Sequence, residues 1–182
     1  MRLTKTARIL LLGANLWYFG EGMLGPLFAI FAEQVGGDIL DISWAWAVYL
    51  FLTGCLNIIV GKYISGKSYQ NKVMVAGYAL NALFTFGYLF VKTPAHLLMV
   101  QAGLGIAEAL GTPAWDTLYA RNAFKETDAY AWGLSNGQAH MITGGAVIVG
   151  GLVVNYGSFN LLFITMGIVQ TLATIIQARI LK

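Results

Sequence analysis

Two glutamates, Glu21 and Glu108, lie inside long apolar runs, and each is followed five residues later by a proline, in Gly20-Glu21-Gly22-Met23-Leu24-Gly25-Pro26 and Ala107-Glu108-Ala109-Leu110-Gly111-Thr112-Pro113. A carboxyl group in hydrocarbon is costly unless it is protonated or faces a wet cavity, so such groups mark routes for solutes or protons. Each acid has polar company at helical spacing. Asn15, Tyr18, Glu21 or Gly22, and Gly25 recur three or four apart, as do Gln101, Gly105, Glu108, Thr112, Asp116 and Tyr119. Residues so spaced share a helix face, and lipid disfavours polar faces, so the two stripes should meet each other or a shared cavity.

The chemistry this allows is proton uptake and release coupled to solute movement. Glu21 and Glu108 are expected to be neutral when sealed in hydrocarbon and ionised when open to water. Asn15, Tyr18, Gln101 and Thr112 would line the same substrate or proton pathway. His140, titratable and inside another apolar run, is a further candidate, the alternative being a satisfied interhelical hydrogen bond. Pro26 and Pro113 each remove a backbone donor and free a carbonyl one turn earlier, at Gly22 and Ala109. A kink beside an ionisable group would serve as a gate; bending for packing alone is the alternative. Asp116, close to a helix end, joins these as a gate contact to a Lys or Arg in a neighbouring loop. Trp17, Tyr18, Trp115 and Tyr119 are candidates to line the cavity and stack on a ring-shaped or cationic solute. Trp44, Trp46 and Trp132 read instead as interface anchors.

The elements that must position these residues are membrane helices. The chain of 182 residues is 58% hydrophobic and 10% charged, with a mean hydropathy of +0.68, whereas a soluble domain carries about 25% charged residues. Crossing about 30 Å of hydrocarbon takes roughly 20 residues. Six runs qualify, at about 9–32, 42–64, 73–91, 95–120, 129–154 and 159–180, which leaves almost nothing for a soluble domain. An all-α membrane protein with a single domain over 1–182 is expected. With the N-terminus cytoplasmic, Arg2, Lys5, Arg8, Lys62, Lys67, Lys72, Arg121, Lys125, Arg179 and Lys182 fall on the cytoplasmic side and only Lys92 outside. Both termini are therefore expected in the cytoplasm, with the protein in a plasma membrane or bacterial inner membrane. This bias argues against dual topology and makes the net charge of +3 a topology signal; no nucleic-acid partner is expected. The first eight residues resemble the start of a signal peptide, but the apolar run that follows is long and holds Glu21, so a retained first helix is expected.

Cys55 is the only cysteine, which excludes an intrachain disulfide and a cysteine-cluster metal site; packing is its expected role. No metal or cofactor is expected. Gly133-Leu134-Ser135-Asn136-Gly137, with His140 nearby, fits the G-x-S-x-G pattern, yet a nucleophile elbow needs a strand and a sharp turn rather than a continuous helix. Gly103-Leu104-Gly105 opens like a dinucleotide fingerprint but follows no strand. An enzyme is not expected. The glycines of the fifth run, Gly133, Gly137, Gly144-Gly145 and Gly150-Gly151, suit close helix packing.

Counted at 1.5 Å per residue, Glu21 lies roughly 18 Å from the cytoplasmic end of the first helix and Glu108 about 20 Å from the exterior end of the fourth. Both reach the midplane in helices that run oppositely. Two three-helix repeats of inverted topology follow, one over about 1–92 and one over about 93–182, with a binding site at their junction.

The stretch from Gln101 to Gly157 resembles the N-terminal half of a major facilitator superfamily transporter. The likeness rests on Gln101-Ala102-Gly103-Leu104-Gly105-Ile106-Ala107, Pro113, the glycines of the fifth run and Tyr156-Gly157. Ser65 stands where the family's loop between helices two and three has an aspartate, and Leu98 where an arginine often precedes the helix-four glutamine. The resemblance implies half of a two-part fold and alternating access around a midplane site. A lone half would expose its polar stripes to lipid, so a second copy inserted in parallel is the expected partner, with a small solute, protons and the bilayer. A heterodimer with a different half, or a non-transporting membrane subunit, is the alternative.

Overall fold

The computed structural model describes residues 3–123 and 128–181, and all regular structure among them is helical. Of the basic residues counted for topology, Arg2, Lys125 and Lys182 lie outside the described residues. Helix α1 (Lys5–Leu24) starts at Thr4, whose hydroxyl accepts from the Ala7 amide as an N-cap. Helix α2 (Leu27–Gln34) is short. Helix α3 (Ile39–Ile64) opens on a capping box between Asp38 and Asp41. Helix α4 (Gln70–Gly87) tightens into a 3-10 turn over Tyr88–Phe90. Helix α5 (Pro94–Asn122) is capped by Thr93 with Pro94 in its first turn. Helices α6 (Asp128–Tyr156) and α7 (Phe159–Ala178) follow, the latter capped by Ser158.

The two prolines act differently. Pro113 stays inside a continuous α5, whereas the run expected to be one helix over 9–32 is divided at Gly25–Pro26, between the end of α1 and the start of α2. Pro26 has no amide to continue the ladder, and the preceding Gly25 takes a non-helical conformation while its N–H still reaches the Glu21 carbonyl. Among the described residues, five helices are long and apolar enough to cross a membrane: Ile39–Ile64, Gln70–Phe90, Pro94–Asn122, Ala129–Tyr156 and Phe159–Leu181. The 20-residue α1, which carries Arg8, Asn15 and Glu21, is not one of them.

Helix α5 packs against α3 and α4, α1 packs against α6 and α7, and α4 meets α7. Small residues permit the close crossings: a methyl on Gly77 would meet the α5 backbone at Gly111 and Ala107, and one on Gly150 would overlap the Met23 carbonyl of α1. Two apolar clusters fill the bundle. One centres on Met23, Phe31, Tyr88 and Phe163, with Tyr88 and Phe163 stacked at 4.9 Å. The other centres on Leu10, Trp17, Tyr78 and Trp115. Helices α3 and α6 form the rim, and of α3 only Ala45 and Ile64 are buried. Cys55, expected to pack, is exposed on α3 instead, because that helix buries a narrow strip and Cys55 is not on it.

One end of the bundle gathers the start of α1, the α3–α4 connector, the end of α5 and the end of α7. Thr4 Oγ1 donates to the Asn122 carbonyl at 2.8 Å, Arg121 to Gln70 Oε1 at 3.1 Å and Asn71 Nδ2 to the Ile180 carbonyl at 3.4 Å. Lys92, between α4 and α5, is at the other end.

Two buried glutamines fasten α7 to α1. Gln170 Nε2 donates to the Trp17 carbonyl at 3.0 Å, and Gln177 Nε2 to the Leu10 carbonyl and the Tyr78 hydroxyl, each at 3.1 Å. Gln170 sits over Gly20 and Gln177 over Gly13, where any side chain on α1 would collide with them. Gln177→Leu keeps the bulk and removes both donors; it is expected to lose about 1–2 kcal/mol of stability, read as a lower thermal midpoint in detergent.

Candidate functional site

Glu21 occupies the last turn of α1 and Glu108 the middle of α5, and they border two separate cavities. The lower cavity, toward the N-terminal end of α1, has a volume of about 40 Å³ and is lined by Ala14, Trp17 and Tyr18 of α1 and by Glu108, Thr112, Trp115 and Asp116 of α5. The upper cavity, at the other side of the acids, measures about 110 Å³. Its walls are Glu21 and Phe28 with Trp46 and Tyr49 of α3, Asn81 and Thr85 of α4, Tyr88, and Gln101 of α5.

The acids are held by different helices. Glu108 Oε2 accepts from the Tyr49 hydroxyl at 3.2 Å, and Glu108 Oε1 accepts from Thr112 Oγ1 at 3.1 Å. Glu21 Oε1 accepts from Asn81 Nδ2 over a longer 3.5 Å. Tyr49 therefore belongs to both rooms: its ring walls the upper cavity while its hydroxyl reaches the acid of the lower one.

The linings repeat in register. The alignment that pairs Glu21 with Glu108, and Pro26 with Pro113, also pairs Ala14 with Gln101, Trp17 with Leu104, Leu24 with Gly111, Gly25 with Thr112, and Phe28 with Trp115. In all six of the pairs that line cavities, one member faces the lower cavity and the other the upper.

The structure gathers most of the residues named from sequence. Tyr18, Thr112 and Asp116 join Glu108 at the lower cavity. Gln101 joins Glu21 at the upper one, where its Nε2 donates to the Tyr88 hydroxyl at 3.3 Å. Asn15 turns aside and donates to Gln138 Oε1 of α6 at 3.1 Å. His140 is outside both cavities, exposed on α6, with Nδ1 2.7 Å from the Asn136 carbonyl.

One aromatic assignment changes and another gains a contact. Tyr119 does not line the cavity: it is fully buried, stacks on Trp115 at 4.8 Å and donates to the Ala131 carbonyl at 2.7 Å. The helix turn carries it past the cavity wall toward α6, where its hydroxyl finds a partner. Trp46, expected to be an interface anchor, is half exposed and also borders the upper cavity, stacking on Tyr49 at 5.5 Å. Its spacing of three from Tyr49 puts both rings on the same face of α3. Sequence reading passed over Tyr49, Asn81, Thr85 and Tyr88; Asn81, polar in an otherwise apolar stretch of α4, was the one available signal. Among the described residues, no group of three or more His, Cys, Asp and Glu is arranged to hold a metal ion.

Comparison with known proteins adds an independent line. The family profile described as Major Facilitator Superfamily matches residues 10–182. An uncharacterized MFS-type transporter of Methanocaldococcus jannaschii is 27% identical over 160 residues, which are 87% of this chain and 41% of that protein. The multidrug resistance protein MdtG of Yersinia enterocolitica is 25% identical over 105 residues, or 56% of this chain and 25% of that protein. This chain thus aligns with under half the length of either relative.

Proposed function

Because the chain belongs to the major facilitator superfamily, we propose that these residues form one six-helix half of a solute transporter, working by alternating access about a waist that holds Glu21 and Glu108. It is a multi-pass integral membrane protein. The six in-register pairs that divide between the two cavities carry the proposal, since they are what two inverted three-helix repeats, about 1–92 and about 93–182, would produce. The packing pairs support it too. Taking α1 with α2 as the first crossing and exchanging the first three crossings with the last three turns α3–α5 into α6–α1 and α4–α5 into α7–α1, and keeps α4–α7. The cytoplasmic side is the end that gathers Lys5, Arg8, Lys62, Lys67, Lys72, Arg121 and Arg179. The lower cavity then opens to the cytoplasm and the upper to the exterior, in a plasma membrane or bacterial inner membrane.

In this mechanism Glu21 and Glu108 carry protons, neutral when their room is shut and ionised when it is wet. Thr112 and Tyr49 orient one carboxyl and Asn81 the other, so proton exchange at the waist can be tied to which room is open. Pro26 and Pro113 lie one turn beyond the acids, at the points where the helices can flex. The exposed face of α6, with Gly133, Asn136, Gly137, His140 and Gly144, is closed by a second half, taken here as a second copy inserted in the same orientation. Nothing in the cavities favours a non-transporting role over transport.

Reconstitution into vesicles with a panel of small solutes under an imposed pH gradient tests this, together with the mass of the solubilised assembly. Solute uptake that dissipates the gradient, and a mass twice the chain's 19.7 kDa, are the expected results. A monomeric particle that moves no solute at all would sink the proposal.

A further inference from the structure

Three carboxylates, Glu21, Glu108 and Asp116, border the two cavities, and among the described residues no Lys, Arg or His lines either. The interior of this half therefore selects for positive charge. Within it the acids are not equivalent: Glu108 is held by Tyr49 and Thr112 inside about 40 Å³, whereas Glu21, beside the Trp17 indole, takes a long 3.5 Å bond from Asn81 at the edge of about 110 Å³. Four aromatic rings, Phe28, Trp46, Tyr49 and Tyr88, wall that larger room. Trp46 stacks on Tyr49 with an interplanar angle of 30°, and Phe28 lies 5.9 Å from Trp46. A carboxylate set among π faces attracts an organic cation, because the ring quadrupoles add to the charge instead of opposing it. Asn81 narrows the class further. It is wholly buried, and its Oδ1 has no hydrogen-bond partner. An unpaired buried acceptor is costly, and an N–H donor from a ligand would relieve it. With a water's share of liquid volume at about 30 Å³, the room takes an ammonium head and a few carbons.

We propose that the upper cavity is the recognition site for a small protonated amine, with Glu21 as its counter-ion, Asn81 as acceptor of one N–H, and Trp46, Tyr49 and Phe28 as the wall against its alkyl chain. This names the solute class of the transporter assigned above and rests on that assignment only for its physiological meaning; binding itself is measurable without transport.

The test is calorimetric titration of the full chain in lipid nanodiscs with butylammonium, butyltrimethylammonium, butanol and butyrate. Butylammonium should bind about tenfold or more tightly than butanol and butyrate, and more tightly than butyltrimethylammonium, which has no N–H. Glu21→Gln should weaken butylammonium about tenfold, and Trp46→Ala about threefold or more, while Glu108→Gln changes it less than either. Trp46→Ala, on the rim of the bundle, keeps the test open if Glu21→Gln does not fold. Equal binding of butanol or butyrate, or no binding of butylammonium, overturns the proposal, as does an affinity indifferent to both Glu21→Gln and Trp46→Ala. Vesicle transport separates the two levels. Glutamate-dependent movement of other solutes without amine binding removes this site and leaves the transporter, whereas amine binding with no transport of any solute leaves the site and removes the transporter.

Discussion

Glu108→Gln is expected to abolish solute uptake driven by a pH gradient, by a factor on the order of a hundred or more, while the protein stays folded. The substitution preserves shape and leaves both neighbours a partner. The amide oxygen can accept from Thr112 or Tyr49 as the carboxylate does, and the Tyr49 hydroxyl can accept from the amide N–H₂. Only the titratable proton is lost. Glu21→Gln should act in the same direction, with Asn81 still bonded to the side-chain oxygen. The measurement is initial uptake into vesicles with and without the gradient, alongside thermal unfolding of the same preparations. Gradient-driven uptake that survives in both variants would move the coupling site away from the waist.

A second large effect is expected from the smallest of side chains. Gly150→Ala should destabilise the bundle by about 3 kcal/mol or more, because the added methyl would overlap the Met23 carbonyl and approach the Met23 Cα, both backbone atoms of α1. No rotamer change relieves a clash with main chain, so α6 must back away from α1 along its length. The neighbour provides the control. Gly151 has nothing within 4 Å of a built methyl, and Gly151→Ala is expected to be neutral or slightly stabilising, since Gly to Ala gains up to about 1 kcal/mol of helix propensity. Thermal midpoints in detergent, measured on both variants, check the contrast. A Gly150→Ala protein as stable as the parent would mean that α1 and α6 do not cross there.

Much of this was legible beforehand, for a physical reason. Hydropathy reports which segments can leave water, so five of the long helices fell where the apolar runs lay, and an acid kept within such a run marked itself. Hydropathy does not report which way a helix faces. Helix α3 is apolar nearly all round, so nothing in its composition shows that Tyr49 and the half-exposed Trp46 border a cavity while Cys55 does not. The polar stripe on α5 was visible, but a stripe can serve two neighbours; Gln101, Glu108 and Thr112 face cavities, whereas Tyr119 continues past them to bond the α6 backbone. The two prolines read alike because sequence shows the missing amide in each; what separates them is Gly25, which yields where Thr112 holds the helical path. Gln170 and Gln177 carry no charge and so drew no notice, although they fasten α1 to α7.

Those two glutamines bear on how a transporter built this way would move. Each occupies a notch above a glycine, two helical turns apart, and a slip of α7 by a single turn, about 5.4 Å, would drive both side chains against Leu16, Trp17 or other bulky neighbours on α1. Sliding is thus blocked in both directions, and separation would strand buried amides in a dry interior. The pair behaves as a riveted spar, so in the proposed mechanism the half would swing whole. Any flexing in a turnover of that kind would then fall at the rim, in α3, in α6 and at the seam with the proposed second half.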